Sequence, residues 1–93
     1  MMGAAVFMFI DDLQRMVFKM PIIDMERTGR NIEMLRKKNN MTVRDLQERF
    51  GFETPQAIYK WQRGSALPTV DNLLYLAILF NVAIEEILVL EDE

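Results

Sequence analysis

The stretch TVRDLQERFGFETPQAIYKWQRG, residues 42–64, decides the reading of this chain. Thr42 stands where a helix N-cap belongs, and Asp45 follows three residues on, the spacing of a capping box. Val43, Leu46 and Phe50 recur at helical spacing and give this short helix one apolar face. Gly51 ends it, because a tight turn there needs the positive φ that glycine tolerates. Thr54-Pro55 then opens a second short helix, with threonine as cap and proline at the first helical position. Ile58 and Trp61 face inward on it, and Gly64 closes it after Arg63. Two short helices joined by a glycine turn make a helix-turn-helix.

Working outward, Asp24 caps a preceding helix that runs to about Lys38, with Thr28, Ile32 and Leu35 as its inward stripe. Arg36, Lys37 and Lys38 suit the negative end of its dipole, and Asn39-Asn40 stops it. These three bases are either phosphate contacts or a solvated helix end. Downstream, Leu67-Pro68 is a link and Thr69 the next cap. Val70 to Phe80 is apolar on almost every side, the mark of a helix buried centrally or shared with a partner. A last helix is expected over Ile84–Leu90, with Glu85 and Glu86 in its first turn. On this reading Ile84, Ile87, Val89 and Leu90 form an apolar patch that either completes the core or closes a twofold interface.

Composition narrows the function. The 93 residues suffice for one small core. Without cysteine or histidine there is no disulfide, thiolate metal site, catalytic thiol or imidazole base. Asp11-Asp12 and Glu91-Asp92-Glu93 read as solvated charges rather than a catalytic pair, so no enzyme and no cofactor is expected. The net charge is −3, but it is unevenly spread. Residues 24–64 carry nine bases against six acids, whereas residues 65–93 carry six acids and no base. That polarity suits a molecule with one face for phosphates.

Residues 1–23 form a separate region, an N-terminal arm or a mis-called start, and 24–93 form the domain. Met1–Ile10 is too short to cross a bilayer and lacks the basic start of a signal peptide. Met20 opens MPIIDMERTG, a natural beginning, so residues 1–19 are read as coming from an upstream start. If translated, they pack on the domain or on a partner. A cytoplasmic, bacterial or phage setting is expected.

The ordered series Ile32-x-x-Leu35-Arg36, Met41-Thr42-Val43-Arg44-Asp45-Leu46, Phe50-Gly51-Phe52, Ile58-x-x-Trp61-Gln62-Arg63-Gly64 and Leu67-Pro68-Thr69-x-x-Asn72-Leu73-x-x-Leu76 resembles the Cro/CI-type (XRE-like) phage-repressor family. The resemblance covers roughly residues 28 to 90. It implies an all-α, lambda-repressor-like bundle of five helices that binds double-stranded DNA as a homodimer and controls transcription. By position it implies that Thr54, Pro55, Gln56, Tyr59 and Lys60 read bases. It places Thr42, Val43 and Arg44, and also Arg63 and Ser65, against phosphates. Arg36 and Gln62 match a pair that braces the first helix against the third. The chemistry agrees, since Gln56 suits a bidentate contact to adenine and Lys60 suits guanine or phosphate.

Three positions depart from the family. Val43 replaces a common glutamine, which leaves the backbone N–H for phosphate. Gln47 stands where a small residue lets the two helices approach, and the turn at Phe52-Glu53 is one residue longer. Glu53 also repels phosphate. The reading is therefore a sequence-specific regulator, a homodimeric repressor that blocks a promoter. Its rival keeps the fold but turns it towards a protein partner, as in an antirepressor or antitoxin subunit.

Overall fold

The computed structural model describes residues 20–92. The expectations for residues 1–19 lie outside them. Four α-helices follow in order: α1 (Met25–Lys38), α2 (Val43–Phe50), α3 (Gln56–Arg63) and α4 (Val70–Phe80). A single 3-10 turn, Ile84–Glu86, comes last.

Most helix ends close as local chemistry dictates. The Asp24 carboxylate accepts from the Arg27 N–H at 2.9 Å and starts α1. Asn39 caps its far end, and Asn40 turns the chain with φ 58°. At α2 the capping box forms in both directions. The Asp45 N–H donates to Thr42 Oγ1 at 3.0 Å, and the Thr42 N–H donates to Asp45 Oδ2 at 2.8 Å. Gly51 (φ 71°) and Gly64 (φ 78°) end α2 and α3 in the left-handed region. The start of α3 differs from expectation. The helix begins at Gln56, and Pro55 is the capping residue, with no side-chain cap of its own. Thr54 Oγ1 accepts only a long bond from the Gln56 N–H, at 3.4 Å.

The core is built from Ile32, Leu35, Leu46, Ile58, Trp61, Leu76, Ala77, Phe80 and Ile87, all buried. α1 lies closest to α3, and Gly29 makes that possible. A Cβ on Gly29 would stand 2.3 Å from the Trp61 carbonyl oxygen. Aromatic rings lock the other side. Phe50 stacks on Phe52 at 5.1 Å and meets Trp61 and Tyr75 edge-on at 5.5 and 4.9 Å. This cluster joins α2, its turn, α3 and α4.

The fifth helix expected over Ile84–Leu90 does not form. After the 3-10 turn the chain runs extended, and Leu90 bridges antiparallel to Ile23. Remote groups take the backbone atoms that a helix would pair internally. Asn31 Nδ2 donates to the carbonyls of Glu86 and Ile87 at 2.8 and 2.9 Å. Buried Thr28 accepts the Val89 N–H at 2.9 Å through Oγ1. The Asp24 N–H donates to Val89 O at 2.7 Å, and the Glu91 N–H to Ile22 O at 2.8 Å.

The expected apolar patch changes with it. Ile87 is wholly buried, Ile84 and Val89 are half-buried, and only Leu90 remains exposed. Nor is α4 buried all round. Leu76, Ala77 and Phe80 enter the core, while Val70, Leu74 and Ile78 are 77%, 52% and 64% exposed.

Candidate nucleic-acid interface

The α2–turn–α3 unit sits on this core with one face in solvent. Along α3, Ile58 and Trp61 point inward, so helical spacing sends Gln56, Tyr59, Lys60 and Arg63 outward. These four side chains line one shallow depression. Within the described residues neither Lys60 nor Arg63 pairs with a carboxylate, so both cations face water. The tip of this face therefore offers an amide, a phenol, an ammonium and a guanidinium on one helix. Such a set can hydrogen-bond base edges and neutralise phosphates.

The other expected contacts fall around this row in different states. Thr54 is exposed and Pro55 half-buried, where the turn enters α3. Ser65 is exposed just past Gly64, its N–H donating to Lys60 O at 2.9 Å. At the start of α2, Thr42 is exposed, but its side chain is engaged in the capping box. Val43 packs against the core, and its side chain offers no polar group. Arg44 is exposed and lies 3.8 Å from Glu48, one turn on, a solvent-facing pair that phosphate can displace.

Two side chains behind the surface set its shape. Arg36 is 8% exposed, and its Nε donates to Gln62 Oε1 at 2.9 Å. Its Nη1 also donates to Met41 O at 2.8 Å, so one guanidinium ties α1 to α3 and to the loop before α2. The brace between Arg36 and Gln62 is thus present with a neutral acceptor in place of an acid. Gln47 has a role that spacing alone did not disclose. Its Nε2 donates to Phe52 O at 3.2 Å and Glu53 O at 3.1 Å. The residue that looked too large for the helix crossing holds the carbonyls of the lengthened turn. The only advance signal was the coincidence of a long polar side chain with an extra turn residue. Asn31 and its grip on the chain end were also missed. A lone asparagine on a helix carries no signal until its distant partner is known.

The Asp45 carboxyl is held below the usual carboxylate range. The Thr42 backbone N–H is the main cause and the Thr42 hydroxyl the next; the Arg49 charge adds a smaller pull. Asp45 is therefore a helix cap in its charged form. Among the described residues, no helix is long and apolar enough to cross a membrane. No cluster of acidic side chains there could hold a metal ion.

Comparison with known proteins agrees with this architecture. No curated protein matches the chain. Two solved structures do. One is the DNA-binding domain of BldD, with 21% identity and a TM-score of 0.60, over 70% of this chain and 93% of that one. The other is the S. venezulae BldD DNA-binding domain, with 22% identity and a TM-score of 0.59, over 69% of this chain and 94% of that one. At that identity the likeness speaks for the fold. The helix-turn-helix family model HTH_3 matches residues 32–87, more than half of the chain, from Ile32 in α1 to Ile87. The chain belongs to this helix-turn-helix family, the XRE-like group of Cro/CI type.

Proposed function

We propose that the protein is a sequence-specific, double-stranded DNA-binding transcription regulator that acts as a homodimeric repressor. The observation that carries this reading is the outward row of α3. Gln56, Tyr59, Lys60 and Arg63 share one exposed face, held from behind by Ile58, Trp61 and the Arg36–Gln62 brace. Family membership and the BldD DNA-binding domains, which share the fold, support the same reading. On it α3 enters the major groove, and Gln56, Tyr59 and Lys60 discriminate bases, with Thr54 and Pro55 at the mouth. Arg63, Ser65, Arg44, the Thr42 hydroxyl and the Val43 N–H take phosphates. Exposed Met20, Ile22 and Leu90 give a second copy an apolar edge. A pair would present two α3 helices about 34 Å apart to a palindromic operator and occlude a promoter.

Selection of genomic fragments with the purified chain tests this, followed by titration of the winning site at about 50 and about 200 mM salt. A palindromic site is expected, with affinity falling steeply as salt rises. Gln56→Ala should cost about 1–3 kcal/mol and relax one base position. Lys60→Ala should lower the salt slope by about one. Failure to enrich any site at low salt overturns the reading. It would favour the rival, a protein-interaction module on the same fold, which exposed Glu53 and the acidic second half support.

A further inference from the structure

A second surface lies apart from the α3 row and shares no residue with it. It is a groove between α4 and the 3-10 turn. Leu74 and Ile78 form one wall, buried Ala77 the floor, and Val82, Ala83 and Ile84 the other wall. Val70, Leu74 and Ile78 recur every four residues, an exposed stripe about 12 Å long by helical rise. That length matches two turns of a facing helix, and the small floor lets its backbone come close. An apolar strip of this kind on a small domain marks an interaction site.

Charge says which partner fits. Asp71 stands three residues before Leu74 and seven before Ile78, on the same face. Glu85 and Glu86 are exposed on the turn opposite, and Glu86 lines the groove itself. One Glu86 oxygen accepts the Ala83 N–H at 2.8 Å, which fixes the carboxylate at the rim. No Lys or Arg occurs from residue 65 to the end of the chain. A second copy docked here about a twofold axis would bring Asp71, Glu85 and Glu86 of both copies together, with no Lys or Arg on α4 or the turn to offset them.

We propose that this groove binds an amphipathic helix from another protein, one whose apolar stripe is flanked by Lys and Arg. The apolar strip supplies contact area and the acidic rim selects the sign of the partner. The proposal goes beyond the regulator reading and rests on it only for its consequence. Because the two surfaces share no residue, such a partner can engage the regulator while α3 occupies DNA.

The test uses the isotope-labelled full chain and two synthetic peptides of one design. Both carry leucines at helical spacing; one has lysines between them, the other glutamates. The lysine peptide should shift the amide resonances of Leu74, Ile78 and Ala83 and spare those of Gln56 and Tyr59. The glutamate peptide should bind at least about tenfold more weakly. Ile78→Asn, at an exposed position, should abolish the response while the circular dichroism spectrum and DNA affinity hold. Glu85→Lys should weaken it. Equal binding of both peptides, or shifts scattered away from the groove, overturns the proposal. So does a dimer in sedimentation velocity that Ile78→Asn dissociates, since the occupant is then a second copy. Loss of DNA binding with the peptide response intact would sink the regulator reading and leave the groove standing.

Discussion

The α2–turn–α3 unit, polar and mixed in charge, and the α4–3-10 region, aliphatic with acids and no base, end up opposite in character. The first hides most of its aromatic and aliphatic groups in one cluster and shows water an amide, a phenol and two exposed cations. The second shows water an aliphatic stripe and acids. The difference lies in where the shape is decided. In α2–turn–α3 the caps, the left-handed glycine and the Gln47 side chain all act within a few residues of the backbone they fix. The final segment takes its shape from Thr28 and Asn31, more than fifty residues away in sequence. Local rules make a surface independent of its surroundings, while a segment held from afar depends on the helix that holds it.

That contrast can be broken first at the shared centre. Trp61 lies beneath the α3 surface and touches both Phe50 and Phe52. Trp61→Ala should cost about 3–5 kcal/mol and remove most or all of the cooperative transition in urea. A loss below about 1 kcal/mol would mean that the cluster does not hold the two regions together.

Gly29→Ala sharpens the comparison because two effects oppose each other. In an open helix the change stabilises by about 1 kcal/mol. Here the new Cβ meets backbone, the Trp61 and Gln62 carbonyl oxygens, at 2.3 and 2.6 Å. Overpacking against backbone should win, destabilising by about 1–3 kcal/mol, and should push α3 away from α1. Thermal melting gives the sign directly. A raised midpoint would show that α1 and α3 do not approach as closely as described.

Thr28→Val addresses the remote tether alone. The shape is kept, but the Val89 N–H loses the oxygen that accepts it at 2.9 Å. A fully buried donor left unpaired costs about 1–3 kcal/mol, and the half-buried Val89 N–H should lie at the low end of that range. Hydrogen exchange should quicken at Val89 and Asp24 well before it quickens at Leu46 or Ile58. Uniform acceleration across all four amides would mean that the terminal segment and the helix-turn-helix open as one unit.

How far the sequence could be read follows the same division. Thr42, Asp45, Gly51 and Gly64 announced α2 and its neighbours because their chemistry is stereochemical and acts at short range. Ile58 and Trp61 at a spacing of three gave the inward face of α3, and therefore its outward row. The start of α3 was placed too early, since Thr54-Pro55 satisfies a cap pattern while the first helical residue is Gln56. Residues 84–90 looked helical by composition, yet the deciding hydrogen bonds come from Thr28, Asn31 and Ile22. No periodicity within seven residues encodes a partner sixty residues upstream. The same distant bonds decide the alternative left open for Ile87, which goes to the core rather than to an interface.

The smallest effect expected is a pH dependence confined to the first region. The Asp45 carboxylate is stabilised by the Thr42 N–H and hydroxyl, so its folded-state pKa is depressed below the unfolded value. Its contribution to stability is therefore complete above the unfolded pKa and is lost as pH falls through the folded one. Asp45→Asn removes the titrating group but keeps an oxygen that can accept the Thr42 N–H. The two proteins should therefore differ near neutral pH and converge as pH falls through the depressed folded-state pKa, where wild-type Asp45 also becomes neutral. Urea midpoints measured at several pH values read this out. Asp45 is only half-buried, so the gap at neutral pH should be small and should narrow further in high salt. Parallel curves at every pH would show that the charge on Asp45 does not contribute, and that α2 is capped by Thr42 alone.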